Sequence, residues 1–187
     1  MKKILLFASG SGTNVENIIR YFQENKTAEI AAVFCNNPKA KVLERAELLN
    51  VPTFLFSKED LNTNMVLENL KKYNPDVIVL AGFLLQFPIS IIKNFSTIIN
   101  IHPALLPKYG GKGMYGMNVH RAVLENNELE TGITIHYVTE NYDEGGIVFQ
   151  KTTPIEDCKS PEEVAIKIHQ LEQDHFPKVI EQLLQKI

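Results

Sequence analysis

Short apolar runs alternate with longer amphipathic segments through the first hundred residues of the chain. Four runs are apolar apart from Asn100: Ile4–Phe7, Ile30–Phe34, Val77–Leu80 and Ile98–Ile101. A continuous apolar run is typical of a strand that helices cover on both faces. A weaker run, Thr53–Phe56, predicts a further strand. The pattern indicates a mostly parallel sheet.

The segments between these runs carry apolar residues three and four positions apart, with polar residues in between. They are Asn14–Glu24, Ala40–Leu49 and Asp60–Lys72. This spacing puts the apolar side chains on one face of a helix, so each segment predicts a crossover helix. The expected fold class is therefore α/β, a Rossmann-like sheet flanked by helices.

The pattern changes in the C-terminal part. Lys108–Gly116 contains four glycines, and a helix is predicted over Met117–Asn126. Two strands, Thr131–Val138 and Ile147–Thr153, could then pair as a long antiparallel hairpin. Ser160-Pro161-Glu162-Glu163 combines a cap, a first-turn proline and two acids, which predicts a final helix with a bend at Pro177.

Length and composition narrow the class. With 187 residues the chain predicts one domain, and its net charge of -3 comes without a block of like charge. We therefore expect neither nucleic-acid nor membrane binding. Cys35 and Cys158 form no CxxC pair, and the start MKKILLFASG has too short an apolar core for a signal peptide. These features indicate a cytoplasmic protein.

A glycine loop, Ser9–Asn14, joins the first strand to the first helix. Backbone N–H groups at such a place face an anion. The dinucleotide fingerprint needs a further glycine and an acid after the second strand, but Val15 and Asn36-Asn37 stand there. The loop therefore suits one phosphate better than a dinucleotide. A turn that binds nothing is an equally good interpretation.

Asn100 and His102 lie at the predicted end of a strand, where the two-residue period puts both on one side. An amide and an imidazole together can donate hydrogen bonds to a carbonyl oxygen that gains negative charge, which suits acyl transfer. Asp143 is a candidate partner for the histidine or for a proton. A structural role for all three residues is an open alternative. The remaining histidines show no metal-ligand spacing, so no metal is expected.

The segment Asn100–Pro107 resembles the signature of the folate-dependent formyltransferases, and Asp143 stands at the spacing that the family's aspartate needs. The resemblance extends over the glycine loop, Asp76–Phe83 and Thr131–His136. It implies transfer of the formyl group of 10-formyltetrahydrofolate to the amine of glycinamide ribonucleotide, in purine biosynthesis. Asn100 and protonated His102 would stabilise the oxyanion, and Asp143 would assist proton transfer.

The resemblance also implies the binding residues. Gly12, Thr13 and Asn14 would hold the substrate phosphate, and Glu172, with His169 as a weaker contact, would hold the glycinamide end. The folate would lie against two segments, whose residues are Phe83, Leu84, Leu85, Gln86, Phe87, Val138, Thr139 and Glu140. Residues 1–100 would form a phosphate-binding half and residues 101–187 a catalytic and folate-binding half of one domain. The partners would be these two small molecules, and the protein a monomer or homodimer.

Two departures from the family pattern and two rival functions remain. Some relatives have arginine where Leu85 aligns, and Gly110–Asn118 is longer than in some relatives. Met114–Met117 could be a flap over the substrate or plain packing.

A hydrolase that releases formate from the same carrier would use the same three residues, Asn100, His102 and Asp143, with water in place of the amine. A non-catalytic nucleotide-binding module built on the glycine loop is the other rival. The length of 187 residues argues against the family members that carry an additional domain.

Overall fold

Seven strands form one mixed sheet in the computed structural model, which describes residues 1–187. The strands are Lys2–Ala8 (β1), Ala28–Cys35 (β2), Thr53–Leu55 (β3), Val77–Leu80 (β4), Ile98–His102 (β5), Glu130–Tyr137 (β6) and Ile147–Pro154 (β7). Their order across the sheet is β3-β2-β1-β4-β5-β6-β7. Pairs among β1 to β5 are parallel, whereas β5–β6 and β6–β7 are antiparallel. The predicted α/β sheet and its C-terminal hairpin are confirmed.

Seven helices flank the sheet. They are Thr13–Asn25 (α1), Lys41–Leu48 (α2), Lys58–Leu61 (α3), Asn64–Tyr73 (α4), Ile89–Ile92 (α5), Met117–Glu125 (α6) and Pro161–Leu184 (α7). The prediction of one helix over 60–72 was wrong, because Ser57 caps α3 and Thr63 then caps α4. The short α5 was not predicted. None of the helices combines the length and apolarity needed to cross a membrane.

The hydrophobic core has two parts, one on each face of the sheet. Leu6 of β1 faces the larger part, which packs against α1, α2, α6 and α7. Phe7, the next residue, faces the smaller part, which packs against α3, α4 and α5. The Phe7 ring stacks on Phe34 with ring centroids 4.9 Å apart. The continuous apolar runs of the central strands follow from this burial on both faces.

Helix α7 continues through Pro177, which is buried. Proline has no N–H to donate to the carbonyl four residues earlier, here that of Gln173. That carbonyl instead accepts a hydrogen bond of 3.0 Å from Nδ2 of Asn17 on α1. The packing of α1 against α7 thus satisfies the backbone group that the proline releases.

Candidate active site

The large cavity of the structure opens where β1, β4 and β5 end, and its volume is about 550 Å³. It lies where the chain order reverses, since β2 and β3 extend the sheet to one side of β1 and β4 and β5 to the other. Ligands of open α/β sheets bind at such a switch point. The lining comprises Gly10–Asn14, Ala81–Leu84, Asn100–Pro103, Gly111–Gly116, Tyr142, Asp143 and Glu172.

The glycine loop lines this cavity with its backbone. Gly12 has a φ of 74°, and a Cβ there would lie 2.5 Å from side-chain atoms of Val42, so only glycine fits. The N–H groups of Ser11, Gly12, Thr13 and Asn14 donate to no backbone or side-chain group of the protein. Together with the dipole of α1 they present unpaired donors to an anion.

The side chain of Asn14 is committed to α7. Its Nδ2 donates to Glu172 Oε2 at 2.9 Å, and its Oδ1 accepts from Gln173 Nε2 at 3.0 Å. The side chain of Asn14 is therefore not free to hold a phosphate, and only its backbone N–H is available for this role. His169 does not line the large cavity, and its Nδ1 lies 3.6 Å from Glu172 Oε2. Glu172 raises the pKa of His169.

Asn100 is paired with His136, a residue for which the sequence interpretation gave no role beyond an unlikely metal ligand. The two residues lie opposite each other on β5 and β6, and Asn100 Nδ2 is 3.1 Å from His136 Nε2. His136 Nδ1 lies 2.9 Å from the Tyr137 carbonyl, which can only accept, so Nδ1 carries the proton. In the neutral ring Nε2 then accepts from Asn100, which leaves the second N–H of Asn100 without a protein partner.

Asp143 lies in the loop between β6 and β7, with a left-handed backbone of φ 58°. One carboxylate oxygen, Oδ2, is 3.5 Å from His102 Nδ1 and accepts from the Gly111 N–H at 2.9 Å. The other, Oδ1, is 3.5 Å from His136 Nε2. Burial raises the pKa of Asp143, but these three neighbours outweigh it and lower the pKa below its usual value. Asp143 is therefore ionised.

His102 is buried at the end of β5, with its side chain 4% exposed. Its Nε2 lies 2.7 Å from the Tyr109 carbonyl and must carry a proton. Burial lowers the pKa of His102, although Asp143 and the Tyr109 carbonyl act in the opposite direction. The Tyr109 carbonyl lies beside Nε2 and Asp143 lies beside Nδ1. Direct donation from Nε2 of His102 to a substrate therefore requires its contact with the Tyr109 carbonyl to open, and the role of a protonated His102 stays a prediction.

The turn after β5 depends on the C-terminal hairpin. Thr134 of β6 donates its hydroxyl to the Ala104 carbonyl at 2.7 Å and accepts from the Leu106 N–H at 3.1 Å. Gln150 of β7 donates to both Thr134 and the Leu106 carbonyl. The Asn100–Pro107 segment is thereby held by strands that come later in the chain.

A small cavity of about 50 Å³ adjoins the large one, and Phe83, Asn100, Tyr142 and Asp143 line both. Of the residues expected to contact folate, five more line only the small cavity: Leu85, Gln86, Phe87, Val138 and Thr139. Leu84 lines the large cavity instead. Glu140 lines neither, and its carbonyl accepts from Gln86 Nε2 at 2.7 Å. The two segments expected to hold folate therefore do face each other.

Phe83 and Phe87 also belong to the core. Their ring centroids lie 5.3 and 5.0 Å from that of Phe7. Both are more than nine-tenths buried. They form the rigid back of the small cavity, so only part of each ring is available to a ligand.

Two further residues carry polar groups without a protein partner. His120 of α6 is buried, and its Nδ1 has no hydrogen-bond partner. Burial lowers the pKa of His120, while nearby Glu172 raises it. Lys112 is the only lysine or arginine in the cavity lining, and it forms no salt bridge. The structure contains no group of three or more metal-ligating side chains.

Comparison with known proteins gives consistent results. The family model described as formyl transferase matches residues 2–180. Phosphoribosylglycinamide formyltransferase of Bacillus subtilis is 37% identical, over 98% of this chain and 95% of that protein. The Escherichia coli protein of the same name is 32% identical, over 95% and 84%. The crystal structure of glycinamide ribonucleotide transformylase 1 from Geobacillus kaustophilus matches with a TM-score of 0.89 and 36% identity, over 98% and 99% of the two chains.

Proposed function

The chain belongs to the formyl transferase family, and from this we propose that it transfers the formyl group of 10-formyltetrahydrofolate to the amine of glycinamide ribonucleotide. This is a step of de novo purine biosynthesis. The observation that carries the proposal is one cavity of about 550 Å³ lined by the glycine loop, by Asn100, His102 and Asp143, and by Glu172. One small molecule in this cavity therefore reaches a phosphate site, an acyl-transfer centre and a carboxylate that can bind an amine.

The phosphorylated acceptor fits the side of the cavity formed by the glycine loop. Unpaired N–H groups of Gly12, Thr13 and Asn14 supply donors for a phosphate at the positive end of α1. Glu172 is fixed by Asn14 and can accept from the glycinamide end as well. His169 acts on this acceptor only through Glu172.

We place the carrier's ring system against the small cavity. Leu85, Phe87 and Val138 supply apolar walls, and Gln86 and the Glu140 carbonyl supply polar groups. A pterin needs more room than about 50 Å³, so binding requires this cavity to widen or the ring system to extend into the adjoining large cavity. Catalytic and folate-binding residues therefore come from both 1–100 and 101–187, within one catalytic domain.

In the proposed reaction the acceptor amine attacks the formyl carbon, and the carbonyl electrons move to the oxygen. The free N–H of Asn100 donates to this oxyanion. His102 can join it once its Nε2–H exchanges the Tyr109 carbonyl for the substrate oxygen. The proton of the attacking amine passes, through water, to Asp143 or to His102 Nδ1 beside it. Breaking the bond to the carrier nitrogen, which takes up a proton, completes the transfer.

A single assay separates the alternatives. The protein is incubated with glycinamide ribonucleotide and 10-formyltetrahydrofolate, beside a reaction without the acceptor. The expected result is N-formylglycinamide ribonucleotide that forms only when both are present. Formate release without the acceptor would identify a hydrolase instead. Tight NAD binding without transfer would identify a nucleotide-binding module.

A further inference from the structure

Two residues of α2 donate hydrogen bonds to backbone carbonyls of the glycine loop. The N–H of Val42 donates to the Gly10 carbonyl at 3.2 Å. Nε of Arg45 donates to the Ser11 carbonyl at 2.8 Å. Val42 and Arg45 are absent from the lining of the large cavity, whereas Gly10, Ser11 and Gly12 are part of it. The loop therefore lies between α2 and the cavity.

The direction of these carbonyls fixes the direction of the next N–H groups. A trans peptide is planar, and its C=O and N–H point in opposite directions. Because the Ser11 carbonyl points to Arg45, the Gly12 N–H points away from α2, to the side of the cavity. The same relation holds between the Gly10 carbonyl and the Ser11 N–H. These are N–H groups without an acceptor in the protein.

Arg45 is itself held in place by α1. Its guanidinium forms a salt bridge with Glu16, and its side chain is 33% exposed. Glu16 also accepts two hydrogen bonds from Arg20, at 3.0 and 2.8 Å. Arg20 and then Arg45 lower the pKa of Glu16, so the carboxylate is ionised. Arg20 shares this carboxylate but donates to no carbonyl of the loop.

We propose that Arg45 is a positioning residue for the phosphate of the acceptor: it captures the Ser11 carbonyl and thereby aims the Gly12 N–H at the phosphate. Arg45 does not touch the substrate. Loss of Arg45 lets the Ser11–Gly12 peptide rotate, because Val42 then holds the loop alone. The inference rests on the proposed function, since it concerns the acceptor of that reaction.

Arg45→Met tests the role, with Arg20→Met as matched control. Methionine keeps the apolar stem and removes the donor. In Arg45→Met the KM for glycinamide ribonucleotide should rise about tenfold, as expected for a loss of about 1.4 kcal/mol in binding. The kcat and the KM for the folate should change less than about twofold, on the uniform-binding logic. Arg45→Lys, which keeps one donor, should recover part of the loss, and Arg20→Met should resemble the wild type.

Two further measurements separate positioning from a general loss of structure. With the unphosphorylated glycinamide riboside as acceptor, wild type and Arg45→Met should have the same kcat/KM. Calorimetric binding of inorganic phosphate should weaken in Arg45→Met by the same factor as the KM effect. This readout does not need formyl transfer, so it tests Arg45 even if the proposed function fails.

Four results would overturn the role of Arg45. They are an equal KM effect in Arg20→Met, an equal loss with the riboside, a fall in kcat without a rise in KM, and a wild-type protein that binds no phosphate. An equal effect in Arg20→Met would show that the charge of Glu16, rather than the loop carbonyl, controls binding. Absence of formyl transfer by the wild type, with phosphate binding that still depends on Arg45, would refute the proposed function alone.

Discussion

Asn100 and His136 lie side by side on β5 and β6, with Nδ2 of the amide 3.1 Å from Nε2 of the imidazole. The Tyr137 carbonyl requires a proton on Nδ1 of His136, so in the neutral ring Nε2 is the acceptor. The Tyr137 carbonyl therefore orients the Asn100 amide through His136, with the NH₂ group toward the imidazole. One N–H of this group remains for the substrate oxygen.

The first prediction concerns this remaining N–H. Asn100→Ala should lower kcat by about 10²–10³, the range for loss of one oxyanion donor, with little change in KM. Asn94→Ala, which removes an exposed amide bonded to the Ser90 carbonyl on α5, is the control. Steady-state kinetics of both variants give the answer. A kcat of Asn100→Ala close to that of the wild type would refute the assignment.

The second prediction concerns His136 as the partner that orients Asn100. His136→Phe removes the acceptor, so the amide can rotate, and kcat should fall about tenfold, near the net value of one hydrogen bond of roughly 0.5–1.5 kcal/mol. His136→Gln offers an amide oxygen as acceptor and should recover part of the rate. The KM values should not change. Equal rates for the two variants would contradict a role in orienting Asn100.

The third prediction concerns the charge of Asp143. Asp143→Asn keeps the shape of the side chain but cannot take up the proton of the amine, so turnover should fall while the folate still binds. Since Asp143 raises the pKa of His102, an NMR titration should show a lower pKa of His102 in this variant. Glu144→Gln, an exposed neighbour in the same loop, is the control. Full activity of Asp143→Asn would exclude its role in proton transfer.

The fourth prediction concerns stability and pH. Burial lowers the pKa of His102 in the folded protein below its value of about 6.5 in the unfolded chain. The unfolded chain therefore takes up the proton first. The stabilising contribution is complete above about pH 6.5 and is lost as the pH falls toward the folded pKa. Urea unfolding should accordingly give a free energy of unfolding that falls below this pH.

His120 and His175 also have lowered pKa values, whereas that of His169 is raised and opposes them. His102→Asn should therefore reduce the slope of stability against pH without abolishing it. The measurement is the difference in unfolding free energy between pH 7.5 and 5.5 for the two proteins. An unchanged slope in His102→Asn would show that His102 does not titrate between these values.

Local patterns predicted most of the fold because the central strands are buried on both faces and the helices on one. The strand runs, the hairpin and the cap at Ser160 are all local signals. The break between α3 and α4 was missed because the apolar spacing continues across it. The extended backbone conformation of Thr63 nevertheless separates the two helices. Short α5 has too few residues to show a period.

The site was predicted in part for the same reason. Asn100 and His102 share a strand, so their common side follows from local geometry. The role of His136 depends on the register between β5 and β6, and that of Arg45 on the packing of α2 against the glycine loop. Neither relation is local in sequence. The one sequence signal for His136 was a histidine within the mostly apolar stretch Ile133–Tyr137, which becomes strand β6.

The last prediction concerns Gly12. Its φ of 74° is unfavourable for any residue with a Cβ, at a cost of about 1–2 kcal/mol, and the added atom would also meet Val42 at 2.5 Å. Gly12→Ala should therefore lower the melting temperature and weaken phosphate binding. Gly10→Ala is the control for stability, because a Cβ there meets nothing within 4 Å and needs no positive φ. Thermal unfolding of both variants is the test, and equal melting temperatures would contradict both the cost of the positive φ and the close contact with Val42.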